Sequence, residues 1–405
     1  ESALKVTAQH DDNINLEVTN QDSVYGETIN PSAKLQMKTE TWVTSIDTDL
    51  RFTDFNRRGY DSDDQYVDLL TRWSGEKSSF SLSGNATHDT TRTSEAEDSG
   101  RFSNERRKFY SLASSWSYAI TDRNTLAISA NLSMADYRDE RYTGYDNAQI
   151  YTEWTHIYTE NVNFFLRANV SEYESDGRTQ NFTFVNLSLL NPPAQQFEQT
   201  YITKTAGSGF QLGANYLLTE QLTLFGLFGS SENDSKYEVS DEFDLCNLTA
   251  TESGWIARGA CTLEDQSAKT KTIETNVSWK QERQTLTAGY TVQTQPSSNG
   301  YVTEAEAVTL NWHYQLSEKN SLNTTARWGE NKALEVPDEQ LQTNRSNREY
   351  NTATVAYSHQ LTENWSVSAS FHYRYQDRGS DDSAAEATGG RIAITYRPQT
   401  KQWSK

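Results

Sequence analysis

The chain has 405 residues, a net charge of −20 and a mean hydropathy of −0.82, yet 12% of its residues are aromatic. The aromatic content excludes a disordered chain, and the negative charge argues against nucleic acid as a partner. The sequence has no apolar run long enough for a membrane-spanning helix. A transmembrane β-barrel alternates lipid-facing apolar residues with polar lumen-facing ones, so this composition favours that class.

One short pattern recurs along the chain: an amphipathic strand, a polar turn and a second amphipathic strand. Copies lie at 118–126, 156–162, 216–224, 314–322 and 359–367. Read as hairpins, such patterns predict eight short turns, at 40–42, 74–77, 121–124, 159–161, 219–221, 281–284, 317–320 and 362–364. Nine longer connections are predicted at 20–31, 57–64, 90–106, 139–146, 175–205, 236–267, 296–303, 332–348 and 378–388.

Eight turns and nine long connections join 18 strands, an even number that puts both termini at the short-turn end. We therefore predict an all-β protein, a single domain over residues 1–405. It is an antiparallel up-and-down barrel of about 18 strands in the bacterial outer membrane. Its turns and termini are expected in the periplasm and its long loops outside the cell, with lipid and lipopolysaccharide around it.

Strand length and aromatic position support a membrane barrel over a soluble sandwich. The alternating stretches 126–134, 162–170, 308–316 and 365–375 span nine or more residues. A tilted strand needs about 9–11 residues to cross a bilayer, whereas ordinary strands have about 5–6. Tyrosines and tryptophans cluster near the short turns, where amphipathic rings favour the headgroup level of a membrane.

The polar face of the predicted strands defines the candidate lumen. It carries Asp47, Asp49, Arg51, Arg72, Glu153, Arg167, Glu274, Arg327, His372, Arg374 and Arg391. One interpretation is that these side chains pair across strands and solvate the wall. The other is that the six arginines form a ladder for an acidic polymer, because the planar guanidinium binds carboxylates bidentately.

Three loop features stand apart from the repeat. Acidic residues concentrate in the long connections. Either these connections are simply solvated loops, or they form an outer vestibule that disfavours anions or binds divalent cations. The loop 175–205 contains an apolar run ending in two prolines, which predicts either a gate folded into the lumen or two strands extending above the membrane. The gate candidates are Phe182, Phe184, Leu189, Pro192 and Pro193.

The third feature is a pair of cysteines, Cys246 and Cys261, which enclose 14 residues of the loop 236–267. We predict a disulfide, which would stabilise the fold by about 3 kcal/mol in the chain-entropy model and suits an oxidising envelope. We predict no metal site, because no histidine lies nearby to complete a zinc shell.

No enzymatic motif stands out. The six histidines are scattered, and neither G-x-S-x-G nor H-E-x-x-H occurs. We predict that the protein is not an enzyme and has no cofactor, with a barrel-wall hydrolase as the enzymatic alternative.

Two N-terminal motifs carry a resemblance to a known family. The stretch 9–14, which reads Q-H-D-D-N-I, is followed by N-P-S-A-K-L at 30–35. Together they resemble the porin-type outer-membrane β-barrel proteins encoded in exopolysaccharide biosynthesis clusters. The resemblance covers about the first 55 residues and implies that a strand runs into the D-D-N-I motif and that Pro31 opens the second strand.

The resemblance also implies a function. Such barrels serve as passive conduits for a secreted polysaccharide and work with a periplasmic polysaccharide export protein that lacks its own membrane-spanning segment. The family supplies no catalytic residues. The alternatives are a general or substrate-specific diffusion porin and a sheath around an electron carrier, although the chain has no heme-attachment C-x-x-C-H. Either Tyr396 supplies the terminal aromatic residue that barrels use for assembly, or the polar tail is unusual.

Overall fold

The structure is a computed structural model. It describes residues 1–19, 21–94, 104–138, 142–186, 194–239, 255–258, 265–298, 300, 302–334, 348–377 and 384–399. Within these ranges, the single helix is α1 (Thr91–Ser94), and no helix is long and apolar enough to cross a membrane.

Strands account for most of the described residues. The first ten are β1 (Ser2–Asp11), β2 (Val24–Lys38), β3 (Trp42–Phe55), β4 (Ser62–Ser74), β5 (Ser78–Thr90), β6 (Arg106–Thr121), β7 (Asn124–Tyr137), β8 (Tyr145–Thr159), β9 (Val162–Ser175) and β10 (Arg178–Asn186). The others are β11 (Ala194–Leu217), β12 (Leu222–Val239), β13 (Trp255–Arg258), β14 (Gln266–Lys280), β15 (Gln284–Pro296), β16 (Val302–Ser317), β17 (Asn320–Ala333), β18 (Arg348–Gln360), β19 (Trp365–Asp377) and β20 (Ala385–Tyr396).

Eighteen of these strands form one closed antiparallel barrel, as the sequence predicts. Strand follows strand in chain order, with β9 paired to β11 and β12 paired to β14. The barrel closes where β1 pairs with β20 over Leu4↔Tyr396 to Asp11↔Gly389, while the other side of β1 pairs with β2. Closure satisfies the backbone groups that an open sheet would leave at its edges, which a bilayer cannot solvate.

The repeated pattern encodes the geometry of the short turns. All eight predicted turns lie between consecutive strands. Thr121, Thr219 and Thr362 each begin a turn and accept hydrogen bonds from amides two and three residues further on, at 3.0–3.3 Å. A side-chain hydroxyl in this position stabilises a tight turn. In three copies the register shifts by one residue just before the turn, at 120, 158 and 316.

Large apolar side chains cover the outer surface of the barrel. Leu35, Leu212 and Ile392 are 71%, 58% and 62% exposed, and each belongs to the alternate set that points away from the polar face. Trp116, Tyr158 and further aromatic residues near the short turns are exposed on the same side. Such an apolar exterior on a closed barrel is the surface of a membrane-spanning protein.

The first hairpin differs from the sequence prediction. The first long connection covers residues 12–23, not 20–31, and Pro31 lies within β2 rather than at its start. Pro31 has no amide proton to donate, and the β2–β3 ladder is interrupted at Asn30 and Pro31 without a change of register. The Asn30 side chain fills the gap, because its Nδ2 donates to the carbonyl oxygen of Leu50 at 2.7 Å.

The loop with the gate candidates forms additional strands. The backbone of β10, which contains Phe182 and Phe184, pairs with the first residues of β11 and also with β13. β10 and the start of β11 therefore form a pair of strands, which is one of the two predicted alternatives for this loop. Leu189, Pro192 and Pro193 lie outside the described residues, as do Cys246 and Cys261. The gate and the disulfide therefore stay predictions.

Candidate functional site

All eleven lumen candidates lie on the polar face, opposite in alternation to the apolar exterior. Several of these charged residues form ion pairs with charged residues on neighbouring strands. On neighbouring strands in direct register, Arg167 donates to Glu153 at 2.7 Å. In the same way, Lys34 on β2 pairs with Asp47 at 3.1 Å. These pairs fit the interpretation that charged side chains solvate the wall by pairing across strands.

Other candidates lie apart from these pairs. Arg72 faces Val43 and Ser81 on the adjoining strands, and Glu274 faces Leu227 and Thr291. The Arg327 guanidinium lies 5.4 Å from the ring centroid of Tyr350. The six arginines lie on six different strands, β3, β4, β9, β17, β19 and β20, and the ladder stays a prediction.

A three-residue network joins the first strand to the end of the chain. The Asp11 carboxylate lies 3.0 Å from Nε2 of His372 and 2.7 Å from Nη2 of Arg374, which donates to it. Arg374 also donates to the backbone oxygen of Asn13 at 3.2 Å. Gly389, opposite Asp11, makes room for the His372 ring, since a Cβ at this position would overlap it.

The D-D-N-I motif fixes the first long connection against β20. Asp12 accepts hydrogen bonds from the amide and the hydroxyl of Thr388 at 2.6 and 2.5 Å. The buried Asn13 side chain donates to the Glu386 carbonyl at 2.9 Å. Leu16, in the left-handed region with φ of 51°, packs on Ala385 and Ala387. The motif thus caps the first hairpin and folds its connection onto the barrel seam.

Two neighbouring connections contact the first long connection and each other. The Tyr60 hydroxyl donates to Asp22 at 2.6 Å, Arg57 forms an ion pair with Asp22, and Arg92 donates to the Tyr60 carbonyl at 3.0 Å. Burial, together with the hydrogen bond to Asp22, raises the pKa of Tyr60 to about 12. The same hydrogen bond, followed by the contacts with Arg57, lowers the pKa of Asp22.

Beneath the first connection lies an internal cavity of about 560 Å³, which we call the seam cavity because it lies at the β1–β20 closure. Its charged lining consists of Lys5, Asp11, Asp49, Arg51, Asp64, Arg92, Arg374 and Arg391, accompanied by His10 and His372. Of the predicted lumen candidates, the cavity brings together Asp49, Arg51, His372, Arg374 and Arg391. It carries more cations than carboxylates, in a chain whose net charge is −20.

A second lumen region is nearly neutral. We call it the serine wall: the inward-facing Ser79, Ser81, Ser83, Ser111, Ser115, Ser117, Ser129 and Ser133 of β5–β7. The hydroxyls of Ser79 and Ser117 lie 2.7 Å apart, and Ser129 donates to Ser115 at 2.9 Å. Part of this wall lines a cavity of about 460 Å³ that also includes Tyr151, Glu153 and Arg167.

The serine wall, Arg92 and Gly389 are not among the residues predicted from the sequence. The serines carry a readable signal, because they recur at alternate positions within three consecutive predicted strands. The position of Arg92 carries no such signal, since it depends on how a connection folds back over the barrel. Among the described residues, no three histidine, cysteine or acidic side chains come together as a metal site would require.

Comparisons with known proteins give a likeness to outer-membrane transport proteins. No family model matches the sequence, and no curated protein matches it. Similar solved structures include OpdL from Pseudomonas aeruginosa, with 10% identity, a TM-score of 0.41 and coverage of 98% of this chain and 97% of that one. The ferric-catecholate import receptor Fiu from E. coli K12 gives 10% identity, a TM-score of 0.44 and coverage of 98% and 81%.

The copper transporter OprC is similar at 11% identity, with a TM-score of 0.48. The match covers 98% of this chain and 66% of that one, so this chain spans just under two thirds of OprC. At such identities the likeness concerns the barrel and does not extend to its cargo.

Proposed function

We propose that this protein is a channel in the bacterial outer membrane through which an exopolysaccharide leaves the cell. The observation that carries the proposal is the serine wall inside a closed barrel with an apolar exterior. Eighteen strands make a barrel wide enough for an aqueous channel. The polar interior is where a hydrated polymer could pass.

Hydroxyl and amide groups suit a sugar polymer because they can both donate and accept hydrogen bonds, as sugar hydroxyls do. Ser81, Ser115 and Ser129 lie in register across β5–β7, and the row continues to Tyr151 on β8. Each such hydrogen bond replaces hydrogen bonds to water, so it contributes only about 1 kcal/mol to binding of the polymer. A polymer can therefore move along the wall without being held at any one place.

We propose an orientation of the barrel from the lengths of its connections. Short turns face the periplasm in bacterial outer-membrane barrels, and both ends of this chain lie at the short-turn end. The polymer would enter at that end, delivered by a periplasmic polysaccharide export protein without its own membrane-spanning segment. It would leave past the long connections.

Deletion of the gene, with plasmid-borne complementation, tests the proposal. We expect deletion to abolish surface polysaccharide while polymer still accumulates inside the cell, because synthesis does not depend on the outer-membrane channel. Complementation should restore surface polymer. Normal secretion in the deletion strain would overturn the proposal.

Conductance in planar bilayers separates export from the alternative of a diffusion porin for small solutes. A porin gives a large, steady conductance without a partner and supports growth on a small solute at limiting concentration. We expect a small or gated conductance from the purified barrel alone. Steady passage of small sugars, together with intact secretion after deletion, would favour the porin.

A further inference from the structure

We propose that the seam cavity binds an anionic group of the transported polymer, with Lys5 and Arg391 as its principal cations. The inference rests on the proposed function for the polymeric nature of the ligand. It adds that the polymer is acidic, bearing carboxylate, sulfate or phosphate groups. A binding group inside the lumen distinguishes this sector from the neutral serine wall.

The cross-strand neighbours of Lys5 and Arg391 are neutral. Lys5 lies opposite Asn30 on β2 and Thr395 on β20. Arg391 lies opposite Gln9 on β1 and Ser370 on β19. Elsewhere in the lumen, Lys34 and Arg167 each lie opposite a carboxylate at 3.1 and 2.7 Å. The barrel therefore provides direct counter-ions for some inward cations but not for these two.

The carboxylates within the seam cavity are already engaged. Asp11 accepts from Arg374 at 2.7 Å. Asp49 accepts from Arg51 at 2.8 Å and from Asn30 at 3.0 Å. Asp64 lies 3.1 Å from Nη1 of Arg106.

In the described part of the chain, neither Lys5 nor Arg391 has a carboxylate within ion-pair distance, and both side chains are exposed to the lumen. Cations that share one cavity repel each other unless an anion lies between them. The planar guanidinium of Arg391 can bind a carboxylate or a phosphate with two parallel hydrogen bonds, and Lys5 adds a third donor as a point charge. Gln9 and Asn30, which also line the cavity, can contribute neutral hydrogen bonds to neighbouring sugar hydroxyls.

The acidity of the whole chain does not prevent this local preference. Charges separated by more than about 8 Å of water are largely screened at physiological salt. The nearby cations therefore set the local potential of the cavity, despite the net charge of −20. Its volume of about 560 Å³ lies within the usual range for small-ligand sites, roughly 300–1,000 Å³.

Titration of the purified full chain in detergent micelles tests the site. The probes are hexagalacturonate, a sulfated hexasaccharide of the same length, neutral maltohexaose and inorganic phosphate. We expect each acidic oligomer to bind at least about tenfold more tightly than maltohexaose, with an affinity that falls as NaCl increases. Comparison of the two acidic oligomers with phosphate shows which anionic group is preferred and whether the sugar contributes.

Variants assign the effect to the cavity. Arg391→Gln and Lys5→Gln should each weaken hexagalacturonate binding by about tenfold, because each removes a charge-assisted contact. The matched control is Lys34→Gln, which removes a lumen cation on the neighbouring strand β2 that already has a carboxylate partner. This control should change binding by less than about twofold. Unchanged heat-modifiable migration on gels verifies that each variant is folded.

Two outcomes would overturn the inference: equal binding of acidic and neutral oligomers, or equal losses in Arg391→Gln and Lys34→Gln. These outcomes are separable from failure of the proposed function, which is judged by secretion in the deletion strain. Selective anion binding with normal secretion would retain the site and reject polymer export. Lost secretion without anion selectivity would retain the channel and reject the acidic polymer.

Discussion

The serine wall and the seam cavity line the same lumen, but they keep it polar by different means. The serine wall uses small neutral side chains whose hydroxyls bond to one another across strands, as Ser115 and Ser129 do at 2.9 Å. The seam cavity uses charged side chains drawn from β1, β3, β4, α1, β19 and β20. A polymer would meet many weak contacts on the first surface and a few strong contacts on the second.

The comparison shows that the cross-strand neighbour determines what a lumen charge can do. Arg167 belongs to the serine wall sector and has Glu153 directly opposite, so its charge is neutralised locally. Arg391 has Gln9 and Ser370 opposite, so its donors stay directed at the lumen. The same residue type is therefore part of the wall in one sector and a candidate ligand group in the other.

The largest expected effect comes from disturbing the seam. In Gly389→Ala, the new methyl group would overlap the His372 ring and the His10 carbonyl oxygen. We expect the Asp11–His372 contact to open and the barrel to lose about 1–3 kcal/mol of unfolding free energy. Urea-induced unfolding in lipid vesicles measures the loss.

Gly390→Ala is the matched control, because it adds the same methyl group on the other face of β20. There the nearest atom is the Ser370 carbonyl oxygen at 3.7 Å, an ordinary contact. This variant should stay within about 0.5 kcal/mol of the parent. Equal losses in the two variants would show that the His372 side of the seam has no special packing.

A second experiment would create a lumen cation without a carboxylate partner beside the serine wall, as we propose for the seam cavity. Glu153→Gln removes the carboxylate that holds Arg167 and leaves a free guanidinium beside the hydroxyls. We expect binding of hexagalacturonate to strengthen by about fivefold. The pair is only partly buried, so the stability should fall by less than about 1 kcal/mol.

The control for charge is Glu172→Gln on β9, at a position that alternates to the outer face beside the 54% exposed Val170. It removes the same charge from the protein without releasing a lumen cation. If both variants strengthen binding equally, net charge and not the local partner governs the affinity, and the comparison between the two sectors loses its basis.

The sequence predicts the barrel well because the information is local. Six of the eight short turns begin with a hydroxyl residue such as Thr121 or Thr362, and the strands alternate, so turns and strands can be counted along the chain. The prediction for the first hairpin is wrong because the boundary of its second strand depends on a contact between two strands, which is not local information. Pro31 suggested a strand boundary, but Asn30 supplies the missing backbone contact and lets β2 continue.

The seam cavity could be predicted only in part. Alternation assigns Arg374 and Arg391 to the lumen, but the contact of Asp11 with Arg374 spans 363 positions of sequence and depends on closure of the barrel. The neutral partners of Arg391 depend on the register of β1 against β20, which no local pattern reveals. The sequence predicts which side chains face inward, and the register determines which of them pair.

Acidity provides a smaller test of how the first connection covers the seam cavity. Because the folded pKa of Asp22 is lowered, its contacts contribute fully above the ordinary value of 3.8 and are lost as the pH falls through the folded value. Because the pKa of Tyr60 is raised from 10.0 to about 12, the neutral hydroxyl keeps its contribution up to pH 10 and loses it as the pH rises through about 12. The protection of the backbone amides of the first connection from hydrogen exchange should therefore be constant between these two pH limits.

Amide hydrogen exchange of residues 12–19, corrected for intrinsic rates between pH 3 and 9, measures this protection. We expect a flat profile down to about pH 4 and a loss below it. Tyr60→Phe should lower the protection roughly threefold at neutral pH and move the acid transition towards the ordinary carboxyl value, because the Tyr60 hydroxyl is the main cause of the lowered pKa. An unmoved transition would assign the effect to Arg57 instead.

The smallest effect is expected on the serine wall itself. The double variant Ser115→Ala and Ser129→Ala removes one hydrogen bond in which both partners are deleted, so the stability should change by less than about 0.5 kcal/mol. The affinity for maltohexaose, measured by titration of the full chain in detergent micelles, should fall by about twofold, while hexagalacturonate binding stays unchanged. The control is Thr152→Ala on the outer face of β8, which should alter neither. A large loss of acidic-oligomer binding in the double variant would mean that the two sectors act as one site, because weak neutral contacts alone cannot produce it.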